Sequence, residues 1–199
     1  EYYLTVAENF WEMVVNNHSY ITGGNSENEH FGEPGILNTE RTNVNNETCN
    51  VYNMLKLSRE LYKITKEKKY ADYYENAHTN AIMASQNPET GMSMYFQPMA
   101  TGYFKVFSSA IYHFWCCTGT GMENFTKLND SIYFTDQDSV SVNMFLSSVL
   151  TLKDKNLKLT QESQLPNTGA GDKSTGKVTF TINTNGSTNT ALKFRIPDW

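Results

Sequence analysis

The sequence predicts an α+β chain built in two successive parts, helical to about residue 135 and β-rich from 136 to 199. Two observations carry this. Apolar residues recur at helical spacing through most of the first part, and the period drops to two beyond residue 136. Helices followed by a run of strands call for separate layers or domains, not for alternating βαβ units.

The elements follow in order. Residues 3–16 place Tyr3, Val6, Phe10, Met13 and Val14 on one face of a first helix. Glu1 opens inside that pattern, so the chain reads as part of a longer polypeptide. A Gly-, Asn- and Glu-rich loop runs from Thr22 to about Asn46. A second helix spans 47–65, with Tyr52, Leu55, Leu57, Leu61 and Ile64 as its stripe and Asn45 or Asn46 as its N-cap. Lys66–Lys69 makes a turn into a third helix over 70–85. Residues 92–107 alternate around Met99-Ala100-Thr101-Gly102, which reads as a hairpin. A further helix starts after Thr120, capped by Thr118 or Thr120, and ends near Asp130. Short strands are expected at 140–145, 150–152, 157–161, 177–182 and 191–196, with a polar turn region at 166–176.

Composition narrows the function. The chain has 199 residues, 39% hydrophobic, enough to bury a sizeable core. Its net charge of −5 and the lack of a basic stripe argue against a nucleic-acid partner. No apolar run is long enough to span a membrane. Twelve Tyr, eleven Phe and three Trp would suit a cleft that stacks on sugar faces, although such residues more often fill cores. Neither the thiols nor the charge selects a compartment, cytoplasmic or exported.

The cysteines carry the chemistry. Cys49 follows Glu47-Thr48, and Cys116-Cys117 precedes Thr118-Gly119-Thr120-Gly121. Three thiols and a carboxylate in two clusters suit a tetrahedral zinc site. Both clusters lie near helix entrances, where free amides and the dipole favour anions and lower a thiol pKa. Other readings stand beside this one. Free cysteines serve as small buried hydrophobes, a vicinal Cys116–Cys117 disulfide is conceivable, and the spacing matches no standard zinc pattern. Acid catalysis beside a thiolate nucleophile would also need a carboxylic acid, and the loop offers Glu27, Glu29, Glu33 and Glu40. Glu29 is singled out by the following His30-Phe31, since an apolar neighbour raises a carboxyl pKa. His30 and His113 read as local hydrogen-bonding residues. Tyr95, Phe96, Tyr103, Phe104 and Trp115 could line a pocket, Trp115 foremost because it abuts the cysteine pair.

Thr22-Gly23-Gly24-Asn25-Ser26, Glu29-His30-Phe31, Glu47-Thr48-Cys49-Asn50 and Phe114 through Asn124 together resemble glycoside hydrolase family 127 and its relative, family 146. Met54–Leu57, Tyr70–Glu75 and Phe194–Pro197 extend the likeness over nearly the whole chain. The resemblance implies a zinc-dependent β-L-arabinofuranosidase acting on plant-type glycans. It implies the closing part of an (α/α)6-barrel catalytic domain in 1–135 and part of a β-sandwich in 136–199. Glu47, Cys49, Cys116 and Cys117 would then hold Zn2+. Cys116 would also be the nucleophile and Glu29 the general acid/base, with Glu33 as its substitute. Trp115, His113 and Tyr95 would touch an oligosaccharide or glycan substrate. Two rivals are a non-catalytic carbohydrate-binding module stapled by zinc and a thiol redox protein using Cys116-Cys117.

Overall fold

The computed structural model describes residues 1–164 and 175–198. The expected turn region at 166–176 lies almost wholly outside them. The chain divides into two compact units, Glu1–Leu128 and Asn129–Trp199.

The first unit is helical, with α1 (Tyr2–Asn17), α2 (Thr48–Thr65), α3 (Lys68–Ala77) and α4 (Cys116–Thr126). Its core is aromatic. Trp11 of α1 meets Tyr70 and Tyr73 of α3 edge to face, at centroid distances of 4.7 and 5.7 Å. The Trp11 indole N–H donates to Ser58 Oγ of α2 at 2.8 Å, so its one polar atom is satisfied. This contact selects the inward face of α1. Trp11 and Val14 are buried, whereas Tyr3, Val6, Phe10 and Met13 of the anticipated stripe are exposed. On α2, Val51, Tyr52, Met54, Leu55 and Leu61 are buried, and Ile64 is exposed beside the left-handed Lys66 that ends the helix.

The expected third helix over 70–85 is three pieces. α3 ends at Ala77, a π-helical turn covers His78–Ile82, and a 3₁₀ turn covers Met83–Ser85. π-turns disrupt the regular i→i−4 ladder and leave no mark in apolar spacing. The Thr22–Asn46 loop packs on α3 through Gly23, whose φ is +79° and whose missing Cβ would lie 2.7 Å from Ala77 Cβ. The Tyr73 hydroxyl donates to the Gly23 carbonyl at 2.8 Å.

The anticipated 92–107 hairpin is reduced to isolated bridges, Gln86 with Ser93 and Met94 with Phe107. Its backbone groups are used elsewhere. Thr48 N–H donates to Tyr95 O at 3.0 Å, Gln97 N–H to Asn45 O at 2.8 Å, and Met99 N–H to Thr42 O at 3.0 Å. The segment therefore docks on the chain leading into α2 in place of a ladder with itself.

The second unit holds two three-stranded sheets. In the first, β2 (Ser139–Val142) lies between antiparallel β1 (Tyr133–Thr135) and parallel β6 (Ala191–Phe194). In the second, β4 (Leu157–Gln164) lies between β3 (Ser148–Leu152) and β5 (Lys177–Thr184), both antiparallel to it. β1 was not anticipated, because three residues are too few to display a period. Leu157, Leu159 and Gln161 alternate inward along β4. Gln161 fits a buried slot because its amide donates to the carbonyls of Met144 and Leu146 at 3.1 and 2.6 Å. Among the described residues no helix is long and apolar enough to cross a membrane.

Candidate metal and catalytic site

Two helix N-termini build the site. Glu47, Thr48 and Cys49 are the N-cap and first two residues of α2, and Trp115, Cys116 and Cys117 hold the same places on α4. Both differ from expectation. Asn45 and Asn46 do not cap α2. Asn45 instead accepts from Thr42 N–H at 2.6 Å and donates to Tyr20, Ser26 and Glu40, organising the loop. Asn46 lies at φ +50° and donates to Thr22 Oγ1. α4 begins at Cys116, before the anticipated start. Gly119 and Gly121 look like helix breakers, but Gly121 permits close packing, since a Cβ there would meet Ser93 Oγ at 2.9 Å.

The ligand atoms of Glu47, Cys49, Cys116 and Cys117 lie within 4.8 Å of one another. Cys49 Sγ is 3.2 Å from Cys117 Sγ, and Cys117 Sγ is 3.8 Å from a Glu47 oxygen. Thr120 Oγ1, one turn into α4, is 2.9 Å from Cys49 Sγ. All three cysteines are free, with Cys117 buried, Cys49 half-buried and Cys116 exposed. Sulfurs on a tetrahedron with bonds of about 2.3 Å stand about 3.8 Å apart, which the cluster brackets. The four groups are thus one candidate metal centre.

Its electrostatics point the same way. Four anions so close cannot coexist without a cation, and the groups share protons accordingly. Burial pushes Glu47 up to about 7, with the Cys49 charge adding to it. The hydrogen bond from Cys117 brings Cys49 down to about 6, with Thr120 helping and burial opposing. Cys117 is driven strongly upward by that same hydrogen bond and by burial.

Tyr95 joins this cluster to the loop. Its hydroxyl donates to Glu29 Oε1 and is 3.4 Å from Cys116 Sγ, which donates to it. Those two hydrogen bonds raise the Tyr95 pKa. Glu29 reaches Tyr95 from the tip of a two-residue turn, where Glu27 and His30 exchange backbone hydrogen bonds of 2.9 Å. Asn28 and Glu29 between them both have positive φ, 46° and 66°, as such primed hairpin turns require. Glu33 is exposed elsewhere in the loop, where its carbonyl accepts from Ile36 N–H at 3.1 Å.

Aromatic walls complete the surroundings. Tyr95, Phe96, Tyr103, Phe104 and Trp115, with Asn43, line a cavity of about 470 Å³. Trp115 meets Tyr95 edge to face at 5.6 Å and stacks on His113 at 4.2 Å. His113 is half-buried. Its Nδ1 accepts from Ser109 N–H at 2.9 Å, which puts the ring proton of the neutral form on Nε2. His30 makes a local contact with Asn28 O at 2.6 Å. Thr48 was not singled out from the sequence, and Thr120 was expected only as a helix cap, not as a partner of Cys49. The only available signal was their i±1 and i+3 spacing from the cysteines, which hydroxyls occupy for many reasons.

A mixed helical and β chain gathers three thiols and a carboxyl at two helix entrances, beside a second, hydroxyl-held carboxyl, and comparison with known proteins identifies the family. Residues 1–130 match the family model "Beta-L-arabinofuranosidase, GH127 catalytic domain", and residues 139–199 match "Beta-L-arabinofuranosidase, GH127 middle domain". The chain belongs to glycoside hydrolase family 127. Among solved structures it is similar to the GH127 β-arabinofuranosidase BT3674, at 25% identity and a TM-score of 0.80, over 99% of this chain and 30% of that one. It is also similar to Ara127N-Se, a GH127 β-L-arabinofuranosidase from Geobacillus stearothermophilus T6, at 20% identity and a TM-score of 0.75, over 98% and 32% of the two chains. The chain therefore spans about a third of these structures. No curated protein matches it.

Proposed function

We propose that this chain supplies the metal centre, nucleophile and general acid/base of a retaining β-L-arabinofuranosidase acting on plant-type glycans. In this reading residues 1–135 are the closing part of an (α/α)6-barrel catalytic domain and 136–199 part of a β-sandwich. The observation that carries it is the hydroxyl shared by Glu29 and Cys116. It holds a carboxyl and a thiol two hydrogen bonds apart, in keeping with the ~5–5.5 Å spacing of retaining pairs.

Glu47, Cys49, Cys116 and Cys117 would hold Zn2+, which supplies the positive charge that keeps the thiols ionised at neutral pH. Four protein ligands ordinarily mark a structural site, but here one ligand is exposed. Cys116 alone of the three cysteines faces outward, so its sulfur can be approached while Cys49 and Cys117 remain covered. In the first step Cys116 Sγ attacks the anomeric carbon as Glu29 gives its proton to the departing glycosidic oxygen. In the second, the Glu29 carboxylate takes a proton from water, the water oxygen bonds to the anomeric carbon, and the carbon–sulfur bond breaks. Two inversions give net retention. The aromatic cavity beside Tyr95 and Trp115 would hold the apolar faces of the sugar or of its leaving group. Glu29 is preferred to Glu33 because it touches Tyr95 and because non-glycine residues at positive φ persist where the surroundings hold them, often at functional sites.

The test is product stereochemistry. A polypeptide carrying this chain at the relatives' full length, given an aryl β-L-arabinofuranoside, should release β-L-arabinose first, seen by NMR before mutarotation. Initial release of the α anomer, or no cleavage, would overturn the reading.

Metal uptake gives a second expected result. Glu47 sits near 7 and Cys117 well above its usual value, so both must shed protons to bind a cation. Zinc affinity should rise with pH through about 7 and fall below it, as Glu47 becomes protonated. Calorimetric titrations in two buffers of different ionisation enthalpy should report proton release. Proton-neutral binding would contradict the assignment of Glu47 and Cys117 as ligands.

A further inference from the structure

We propose that Tyr95 is a positioning residue that fixes the Glu29 carboxyl relative to Cys116 Sγ, so that acid and nucleophile act on the same bond. The inference rests on the glycosidase reading and adds to it a role for a residue that carries neither reacting group.

Seven contacts support it. The Tyr95 carbonyl accepts from both Thr48 N–H and Thr48 Oγ1, at 3.0 and 3.2 Å, which ties its backbone to the first turn of α2 between Glu47 and Cys49. Thr48 Oγ1 is also 3.0 Å from Met94 O, so the segment is fastened at two successive residues. The Tyr95 ring is wedged between Phe96, at 4.5 Å, and the edge of Trp115, at 5.6 Å. The hydroxyl at its far end meets Glu29 and Cys116 together. Tyr95 thus touches all three segments of the site: the loop tip, the α2 entrance through Thr48, and the α4 entrance.

Glu29 needs such a strut. It stands at the tip of a two-residue turn on an exposed loop, where its side chain would otherwise sample many rotamers. A misplacement of about 1 Å of a reacting group can cost roughly 100-fold in rate. One hydroxyl, braced by two aromatic rings and a backbone fastened to α2, removes that freedom without entering the reaction.

The test compares wild type, Tyr95→Phe, Glu29→Gln and the double variant in a polypeptide of the relatives' full length. Two substrates are used, methyl and 4-nitrophenyl β-L-arabinofuranoside. If Tyr95 acts through Glu29, Tyr95→Phe should lower kcat on the methyl glycoside by roughly 100-fold, since a poor leaving group needs the proton most. On the nitrophenyl glycoside the glycosylation step should lose less than about tenfold, with KM unchanged within about twofold. The double variant should be no slower than Glu29→Gln alone, because the strut has nothing left to position. A double variant slowed by the product of the two single effects would overturn the proposal, as would equal losses on both substrates or no loss at all. If wild type cleaves neither glycoside, the glycosidase reading fails first and takes this role with it. Cleavage with Tyr95→Phe unimpaired removes the role of Tyr95 alone.

Discussion

Cys116→Ala is expected to abolish turnover, lowering kcat by roughly 10⁴-fold or more, as removal of a covalent nucleophile does. The variant should still fold. Cys116 is the exposed cysteine, and alanine is the best helix former at a first-turn position. Three donors remain, Glu47, Cys49 and Cys117, the last two in contact at 3.2 Å. Metal should therefore bind more weakly without being lost. The matched change, Cys117→Ala, separates the two duties of a thiol at this centre. Cys117 is buried against Cys49, so its loss should cost metal and stability as well as activity. Mass spectrometry of protein quenched during turnover checks the assignment directly. A sugar adduct should appear on the peptide holding Cys116 and vanish in Cys116→Ala. An adduct on a glutamate would sink the thiol mechanism.

Glu29→Gly is expected to make the protein more stable while nearly silencing it. Glu29 lies at φ +66°, in a region that glycine adopts at little cost and other residues do not. Relief of that conformation should raise the unfolding free energy by about 1 kcal/mol, the lower end of what such strained residues cost. Loss of the proposed general acid should reduce kcat on poor leaving groups by about 10²–10⁴-fold. Glu29→Gln separates the two effects, since it retains the strain and removes the proton donor. Urea denaturation read beside kcat gives both numbers. If Glu29→Gly proves less stable than wild type, the Tyr95 hydrogen bond outweighs the backbone strain. If activity survives in both variants, another carboxyl is the acid.

Much of the first unit was legible because its chemistry is local. The entrance to α2 could be read from polar residues before an apolar run, and the four donors drew attention by their types. Their meeting within 4.8 Å could not be read, since it depends on how α2 and α4 pack. The start of α4 was misplaced because Gly119 and Gly121 weigh against a helix in any local scale. Gly121 is there for its closeness to Ser93, a contact 28 residues away. The face of α1 was misjudged for a related reason, as one indole–hydroxyl bond from Trp11 to Ser58 outranks a run of apolar side chains. The 92–107 segment alternates like a hairpin, yet its amides and carbonyls pair with Thr42, Asn45 and Thr48. Tyr95 looked like one aromatic among many, and its distinction lies in the two atoms that its hydroxyl touches. In the second unit the period of two located five strands, but not the order in which β2 and β6 join.

The 3.2 Å between the sulfurs of Cys49 and Cys117 separates residues 68 positions apart in the chain. Any bond that ties them, through a metal or directly, closes a loop of that length in the unfolded ensemble. Chain-entropy arguments value such a closure at about 4 kcal/mol, a large share of the ~5–15 kcal/mol that stabilises a typical domain. Chelation would then act as a denaturant aimed at one point, and the proposed reactive centre would double as the clasp of the polypeptide around it.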